Sequence, residues 1–356
     1  MNSANRESLC HRNQSYIAPI TVSLITILLL GFFSLRFYHF VKSPNVSLKG
    51  KASTYLYIPT GTDFRGLLGI MKRREILKNK KGFIFVSARK HYDARVKAGK
   101  YLLRAGMSNN ELVNLLRSGK QVPVRLNIQS ARSVAELAGK LSHQVEADSA
   151  SLMKLFNDPL CLQQFGIDPD NVFVLFLPNT YEIFWNTSAS QLLWKMSLEQ
   201  KSFWNPVRRQ QLSATGLDIN QVVTIASIVD KETNKDSEKP DIAGVYINRL
   251  HKGWPLQADP TVIYACGDYS IRRLNVQLLK TESRYNTYLH TGLPPGPICI
   301  PSVSSIDAVL NFRNHKYMYF CAKDDLSGYH NFAADLAGHM RNAKNYQKAL
   351  DHLNIK

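Results

Sequence analysis

"DINQVVTIASIVDKETNKDSE", residues 218–238, begins as an apolar helix and ends in a cluster of charged side chains. We expect Asp218 or Asn220 to cap it, because either side chain can accept hydrogen bonds from the first free backbone amides of a helix. At 100° per residue, valines and isoleucines share one apolar stripe, and the next position on that stripe is Glu232. A carboxylate on a face selected for burial is costly unless it is paired or protonated. Glu232 is therefore the residue that most needs a functional explanation.

The N-terminal part of the chain contains an uncharged apolar segment, residues 16–35, of about the length that crosses a bilayer as a helix. A cleaved secretory signal has a shorter apolar region followed by a small-residue cleavage site, so we predict an uncleaved transmembrane anchor after a short tail, residues 1–15. More Lys and Arg residues follow the segment than precede it, which by charge alone favours a cytoplasmic location for the rest of the chain.

Basic charge is concentrated directly after this segment. Residues 36–125 contain 20 Lys or Arg against four Asp or Glu, which accounts for 16 of the formal net charge of +18. Beside a membrane, such a region is expected to meet anionic lipid or an anionic polymer, or to be a solvated basic face. No recognisable nucleic-acid module accompanies the charge, so nucleic acid is not predicted as a partner. The five cysteines show no zinc-like spacing, and we predict buried free thiols, no metal and no cofactor.

Helix-like and strand-like segments alternate after the anchor, so the predicted fold class is α+β. A polar linker, residues 42–54, precedes a small unit, residues 55–128, in which Ser108 and Glu111 form a capping-box pattern. A larger mixed α/β domain, residues 129–356, contains the 218–238 helix. After Gly244 we expect short strands and loops, and then a final helix near residues 333–353.

Two loop segments beyond the 218–238 helix contain polar side chains suited to a ligand. They are "LQADPTVIYACGD", residues 256–268, and "YNTYLHTGLPPGPI", residues 285–298, where proline and glycine pairs fix rigid turns. The alternative is that these side chains bond only their own backbone. The candidate ligand-binding residues in and before these segments are Asn248, Gln257, Asp259, Thr261, Asn286 and Tyr288.

Six motifs occur in a fixed order, "ASIVDKET", "VYINRL", "LQADPTVIYA", "YNTY", "GLPPGPI" and "HNF". Together they resemble the YceG-like endolytic murein transglycosylases, membrane-anchored enzymes that cut peptidoglycan glycan strands. The resemblance covers nearly the whole chain after the apolar segment. It implies a LysM-like subdomain at residues 55–128 and a catalytic domain at residues 129–356. It also implies that Glu232 is catalytic, as the second acidic position of the family's E-K-E-T motif. Asp230 at the first position is a departure, and "IQSA" at 128–131 departs from the family's "PEG" turn at the subdomain junction.

The chemistry of a buried glutamate agrees with this resemblance. A carboxyl group in a partly apolar wall has a raised pKa and can donate a proton to the leaving oxygen of a glycosidic bond. The resemblance implies that the 6-hydroxyl of N-acetylmuramic acid then attacks its own C1, so that one glutamate acts as acid and then as base. An ordinary glycosidase needs a second carboxylate. Asp259 and Glu238 are candidates for it, although Asp259 can equally cap the turn at Pro260, and for Glu238 we favour a structural ion pair, with Arg249 as one candidate partner.

Further expectations follow from the resemblance. Tyr288 and Tyr181 are expected to stack on sugar rings, and His330 either contacts substrate or is a satisfied structural histidine. The protein is expected in the inner membrane with its catalytic domain on the periplasmic side, near peptidoglycan synthases (penicillin-binding proteins), where it would terminate glycan polymerisation. Two alternatives remain, a catalytically silent glycan-binding scaffold and a peptidoglycan hydrolase that uses Glu232 with Asp259.

Overall fold

The computed structural model describes the backbone of residues 4–352 and the side chains of residues 21–352. The side chains of the predicted tail, residues 1–15, including Cys10, therefore lie outside the described residues. A long helix, α1 (Ala4–Lys42), contains the predicted anchor. The stretch Thr21–Lys42 of this helix is unburied and is long and apolar enough to cross a membrane. An N-terminal signal sequence has the same two properties.

The chain divides into two compact units. The first comprises the chain up to Pro123 together with residues 184–186, and the second comprises residues 124–183 and 187–356. The architecture is a mixed α/β one in which helices dominate. The strands of the described residues form three separate antiparallel pairs.

The first unit packs three helices around one strand pair. Its strands run antiparallel with Ser53 opposite Arg104, and their inward residues join the apolar sides of the helices in one core. Ser108 and Glu111 form the predicted capping box at the start of the last helix. After α1, the elements are β1 (Ser53–Ile58), α2 (Phe64–Arg73), α3 (Lys80–Arg89), β2 (Gly99–Arg104) and α4 (Asn109–Ser118).

The segment predicted as a polar linker, residues 42–54, is instead packed into the first unit. Val46 and Leu48 are buried in its core, and Asn45 Nδ2 donates a hydrogen bond to Asn109 Oδ1 at 2.6 Å. The overall polarity of the segment concealed these alternating apolar positions, each of which contributes to stability through burial. The end of α1 is therefore connected to the unit by packed chain.

The second unit contains most of the helices and a strand, Val124–Ile128, that lies at the end of the predicted small unit, residues 55–128. This strand, β3, pairs with β4 so that Val124 lies opposite Ile183, which places it in the second unit and not at the end of the first. The elements up to the middle of the unit are β3 (Val124–Ile128), α5 (Val134–Ser142), α6 (Ser149–Phe156), α7 (Pro159–Gln163), β4 (Asn179–Ile183), α8 (Ala189–Phe203) and α9 (Pro206–Thr215).

The remainder of the second unit is more helical than the expected strands and loops after Gly244. A core of buried aliphatic side chains lies between three helices, α10 (Ile219–Glu232), α11 (Lys239–His251) and α13 (Val303–Leu310). The sequence did not predict α11 because buried tyrosine and arginine side chains interrupt its apolar pattern. The elements are α10 (Ile219–Glu232), α11 (Lys239–His251), α12 (Asp259–Cys266), α13 (Val303–Leu310), β5 (Tyr319–Ala322), β6 (His330–Ala333) and α14 (Leu336–His352).

Four cysteines lie among the described side chains, and all four are free thiols. Cys299 is fully buried, and burial raises the pKa of its thiol to about 12. The other three, Cys161, Cys266 and Cys321, keep partial exposure, so the prediction of buried thiols is right for Cys299 alone.

Candidate active site

Helix α10 positions Glu232 at its last residue. Asp218 is the N-cap, because its Oδ1 accepts from Gln221 N at 2.8 Å while Gln221 Oε1 accepts from Asp218 N at 2.9 Å. The apolar stripe of the helix is buried as predicted. Thr233 adopts an extended backbone and ends the helix, so the carboxylate of Glu232 projects where the apolar core stops.

The side chain of Glu232 is held by a buried tyrosine. Tyr246 on α11 donates its hydroxyl proton to Glu232 Oε1 at 2.6 Å. Burial raises the pKa of Glu232 to about 7, opposed by the Tyr246 hydrogen bond and the positive charge of Arg249 and assisted by the negative charge of Asp259. Glu232 keeps some exposure to solvent. A carboxyl group of this kind is partly protonated at neutral pH, as a general acid requires.

A buried guanidinium lies close enough to Glu232 to influence its ionisation. Arg249 donates from Nε to Met318 O at 2.7 Å and from Nη1 to Leu256 O at 2.6 Å. Within the described part of the chain, no carboxylate forms an ion pair with it, so Arg249 is not the partner of Glu238, whose ion pair is with His330. Two backbone carbonyls therefore fix a positive charge whose field acts on Glu232.

A second tyrosine–carboxylate pair lies beside the first. Tyr288 donates its hydroxyl proton to Asp259 Oδ1 at 2.5 Å. Asp259 is the first residue of α12, is exposed, and acts on the pKa of Glu232 through its charge. Burial and Asp259 together raise the pKa of the Tyr288 hydroxyl above its usual range. Glu232, Tyr246, Arg249, Asp259 and Tyr288 thus form one electrostatic cluster, called the site cluster below.

The two segments predicted as loops lie against each other and support the site cluster, but most of the first is not a loop, because Asp259–Cys266 is the helix α12. Gln257 N donates to Thr287 O at 3.0 Å, and the hydroxyls of Thr261 and Thr287 are 2.8 Å apart. Asn286 Nδ2 donates to Leu279 O and Thr281 O. Thr261 and Asn286 are fully buried, so we correct their expected role from ligand contact to loop support. Gln257 remains exposed beside Asp259.

The second glycine of the "GLPPGPI" motif, Gly296, has a structural role. A Cβ added at Gly296 would lie 2.1 Å from Asp170 O, which no side chain could tolerate. Asn171 Nδ2 donates to Pro295 O at 3.3 Å in the same place. This turn therefore needs glycine in order to pack against the 3₁₀ turn that begins at Pro169.

Three other predicted side chains are occupied elsewhere. Asn248 Nδ2 donates to His315 O at 2.8 Å and Tyr317 O at 2.9 Å, which ties α11 to the following loop. His330 Nδ1 lies 3.1 Å from Glu238 Oε2, and the His330 amide donates to Glu238 Oε1 at 2.7 Å. The structural alternative for His330 is the one observed, and Glu238 is not available as a second catalytic carboxylate.

Two more expectations concern Tyr181 and Asp230. Tyr181 is buried and donates to Leu177 O at 3.0 Å, so the expectation that it stacks on sugar is wrong. Asp230 accepts from Ser302 N at 3.0 Å and Ser305 Oγ at 2.8 Å. Burial acts to raise the pKa of Asp230, but these bonds and the charge of Lys231 outweigh it and hold the pKa below its usual value. Asp230 therefore joins α10 to α13 and does not face the site cluster.

Sequence reasoning missed Tyr246 and the role of Arg249. Both occur in "VYINRL", three residues apart, which places them on the same face of α11. The sequence signal for these two residues was a tyrosine and an arginine on one helix face that is otherwise aliphatic. Between residues 21 and 352, no group of three or more His, Cys, Asp or Glu side chains is arranged to hold a metal.

Comparison with known proteins identifies relatives of this chain. A model of the YceG-like family matches residues 56–345. The endolytic murein transglycosylase of Bacillus subtilis (strain 168) is 26% identical over 296 residues, which cover 79% of this chain and 81% of the relative. That of Streptococcus pneumoniae serotype 2 is 26% identical over 382 residues, with 96% and 66% covered. A crystal structure of a yceG-like protein from Listeria monocytogenes aligns with a TM-score of 0.53 at 28% identity, covering 82% of this chain and 99% of that one.

Proposed function

Because the chain belongs to the YceG-like family, we propose that it is an endolytic lytic transglycosylase that cleaves the MurNAc–GlcNAc bond of nascent peptidoglycan strands. The observation that carries this proposal is the state of Glu232. Its pKa of about 7 and its hydrogen bond from Tyr246 give a carboxyl group that can be acid and base in turn at neutral pH. The names of the curated relatives support the same activity.

In the proposed reaction, Glu232 donates its proton to the glycosidic oxygen of the leaving GlcNAc as the bond from that oxygen to C1 of MurNAc breaks. The resulting carboxylate is stabilised by the Tyr246 hydroxyl and by the field of Arg249. The 6-hydroxyl of the same MurNAc then bonds to C1, and its proton passes to Glu232. The products are a 1,6-anhydromuramyl end and an intact acid, and no water is consumed.

Asp259 is the residue on which the hydrolase alternative depends. Its carboxylate is exposed, and its negative charge acts on the pKa of Glu232, so the two carboxylates belong to the same site cluster. Its hydrogen bond from Tyr288 favours a binding role instead, because the pair offers both a charged acceptor and an aromatic face to a sugar. We propose that Gln257, Asp259 and Tyr288 contact the glycan strand, while Thr261 and Asn286 support the surrounding chain and Asn248 and His330 have structural roles elsewhere in the second unit.

We further propose the domain roles that the resemblance implies. Residues 55–128, which lie mainly in the first unit, would be a LysM-like subdomain, and the catalytic domain would follow. The apolar helix would hold the protein in the inner membrane with residues 1–15 in the cytoplasm and the enzyme on the periplasmic side. There it would meet nascent strands beside the penicillin-binding proteins that make them, and would terminate polymerisation.

Mass spectrometry of muropeptides released from purified peptidoglycan tests the reaction. The proposal expects products with 1,6-anhydromuramyl ends, which are lighter by one water than the products of hydrolysis. Reducing ends carrying the added water would favour the hydrolase that uses Glu232 with Asp259. Binding to peptidoglycan without any product would favour the silent scaffold.

A further inference from the structure

A cleft borders the helices that carry the site cluster. Its volume is ≈ 260 Å³, and its walls come from α10, α12 and the adjoining loops. Lys231, which lines it, directly precedes Glu232, and Pro260, which also lines it, directly follows Asp259. A ligand attached to a glycan strand bound at the site cluster could therefore reach this cleft.

The polar part of the cleft is cationic. Arg132, Lys231 and Arg272 line it, and no carboxylate is among its lining residues in the described structure. Lys231 Nζ lies 3.1 Å from Asp230 Oδ2, and Arg132 Nη1 donates to Tyr269 O at 3.2 Å. Arg272 is exposed and, within residues 21–352, makes no hydrogen bond or ion pair. At least one guanidinium is therefore free to bind an anion, and guanidinium geometry matches a carboxylate.

The apolar part of the cleft sets the size and shape of what enters. Ile263, Ile271 and Ile298 supply aliphatic surface, and the rings of Tyr264 and Tyr269 complete the walls. The volume is below the roughly 300–1,000 Å³ of sites that enclose drug-sized ligands. It suits one or two small amino-acid residues with a carboxylate, and it is too small for a disaccharide.

We propose that this cleft binds a carboxylate-bearing part of the peptide stem on the glycan strand being cut. This inference rests on the proposed function, since it assumes a peptidoglycan substrate. The stem peptides of peptidoglycan carry small aliphatic residues and free carboxylates, which match the isoleucine surface and the cationic rim. Through this cleft the enzyme distinguishes strands that carry peptides from strands that lack them.

The test uses the full chain in detergent with two substrates, glycan strands that carry stem peptides and the same strands stripped of peptides by an amidase. Arg272→Gln removes the unpaired guanidinium, and Arg273→Gln is the matched control, because Arg273 is the next residue, is exposed and does not line the cleft. We expect Arg272→Gln to raise KM for peptide-bearing strands roughly tenfold, the effect of one hydrogen bond to a charged group, with kcat unchanged. KM for stripped strands should stay the same, and Arg273→Gln should match the unmodified protein on both substrates.

The remaining outcomes would refute the peptide site, the same-strand assignment or the proposed function. Equal kinetics of Arg272→Gln and the unmodified protein on both substrates would refute the peptide site, as would an equal loss on both. Stimulation of cleavage of stripped strands by free stem peptide would place the bound peptide on another strand and refute the same-strand assignment. Failure of the unmodified protein to release anhydromuramyl products from either substrate would instead refute the proposed function.

Discussion

Replacing Glu232 by glutamine should separate activity from stability in a way that a merely structural glutamate would not. Glutamine can accept the Tyr246 hydrogen bond but has no proton to donate to a leaving oxygen. Positioned proton transfer is worth roughly 10²- to 10⁴-fold in rate, so release of anhydromuramyl products should fall by that factor.

The same variant should become more stable than the unmodified protein at alkaline pH. The folded state holds the Glu232 proton up to pH about 7, whereas the unfolded state releases it above its usual pKa of 4.5. Folding free energy is therefore lost as pH rises between these values, and the loss amounts to about 3 kcal/mol at 1.36 kcal/mol per pH unit. Glu232→Gln carries no such cost, so its advantage over the unmodified protein should grow by about 3 kcal/mol between pH 4 and pH 8.

Asp230→Asn is the matched control, since it is two residues away on the same helix. Asparagine keeps an oxygen that can accept from Ser302 and Ser305 but loses the negative charge that strengthens these bonds and pairs with Lys231, so the free energy of unfolding should fall by about 1–2 kcal/mol. The rate should change little, because Asp230 does not face the site cluster. Denaturant unfolding at pH 4 and pH 8, followed through the fluorescence of buried Trp204, and product release measure both quantities. An active Glu232→Gln enzyme, or one that is less stable at both pH values, would refute the reasoning.

Other perturbations test the neighbours of Glu232, the basic region and the anchor. Tyr246→Phe removes a bond that favours ionised Glu232, so the alkaline limb of the pH–rate profile should move to higher pH, and an unmoved limb would contradict its positioning role. Asp259→Asn removes a charge that raises the pKa of Glu232 while keeping an acceptor for Tyr288, so the limb should move to lower pH. Complete loss of activity in that variant would favour the hydrolase. Binding of the basic unit, residues 54–128, to peptidoglycan and anionic vesicles should weaken as salt is raised, since screening acts over about 8 Å at physiological ionic strength, and no binding at low salt would indicate a solvated face. A reporter that works only outside the cytoplasm should be active when fused after residue 50. Activity there of a reporter that works only in the cytoplasm would contradict the proposed orientation.

Local features of the chain were predictable because each depends on neighbours in sequence. The Asp218 cap, the capping box at Ser108 and the place of Glu232 on the apolar stripe follow from helical spacing over a few residues. The length of the apolar segment in α1 follows from composition. Helical periodicity alone was therefore enough to identify the candidate acid.

Long-range pairings were decided only by the tertiary structure. Strand β3 finds its partner more than 50 residues away, and the register between them leaves no local signal. Residues 42–54 carry too few apolar side chains to predict a core contribution, yet Val46 and Leu48 are buried.

The roles of individual polar side chains also required the structure. Asn286 and Gln257 look alike in sequence, but Asn286 is buried with both amide hydrogens bonded to carbonyls while Gln257 is exposed. The partner of Glu232 comes from another helix, where Tyr246 is one of several buried aromatic residues. The ability to ionise, accept or donate is a property of each side chain, so the amino-acid sequence by itself determined which residues could act. Which of them face a substrate depends on where the competing backbone donors and acceptors lie, and only the packed chain brings those groups together.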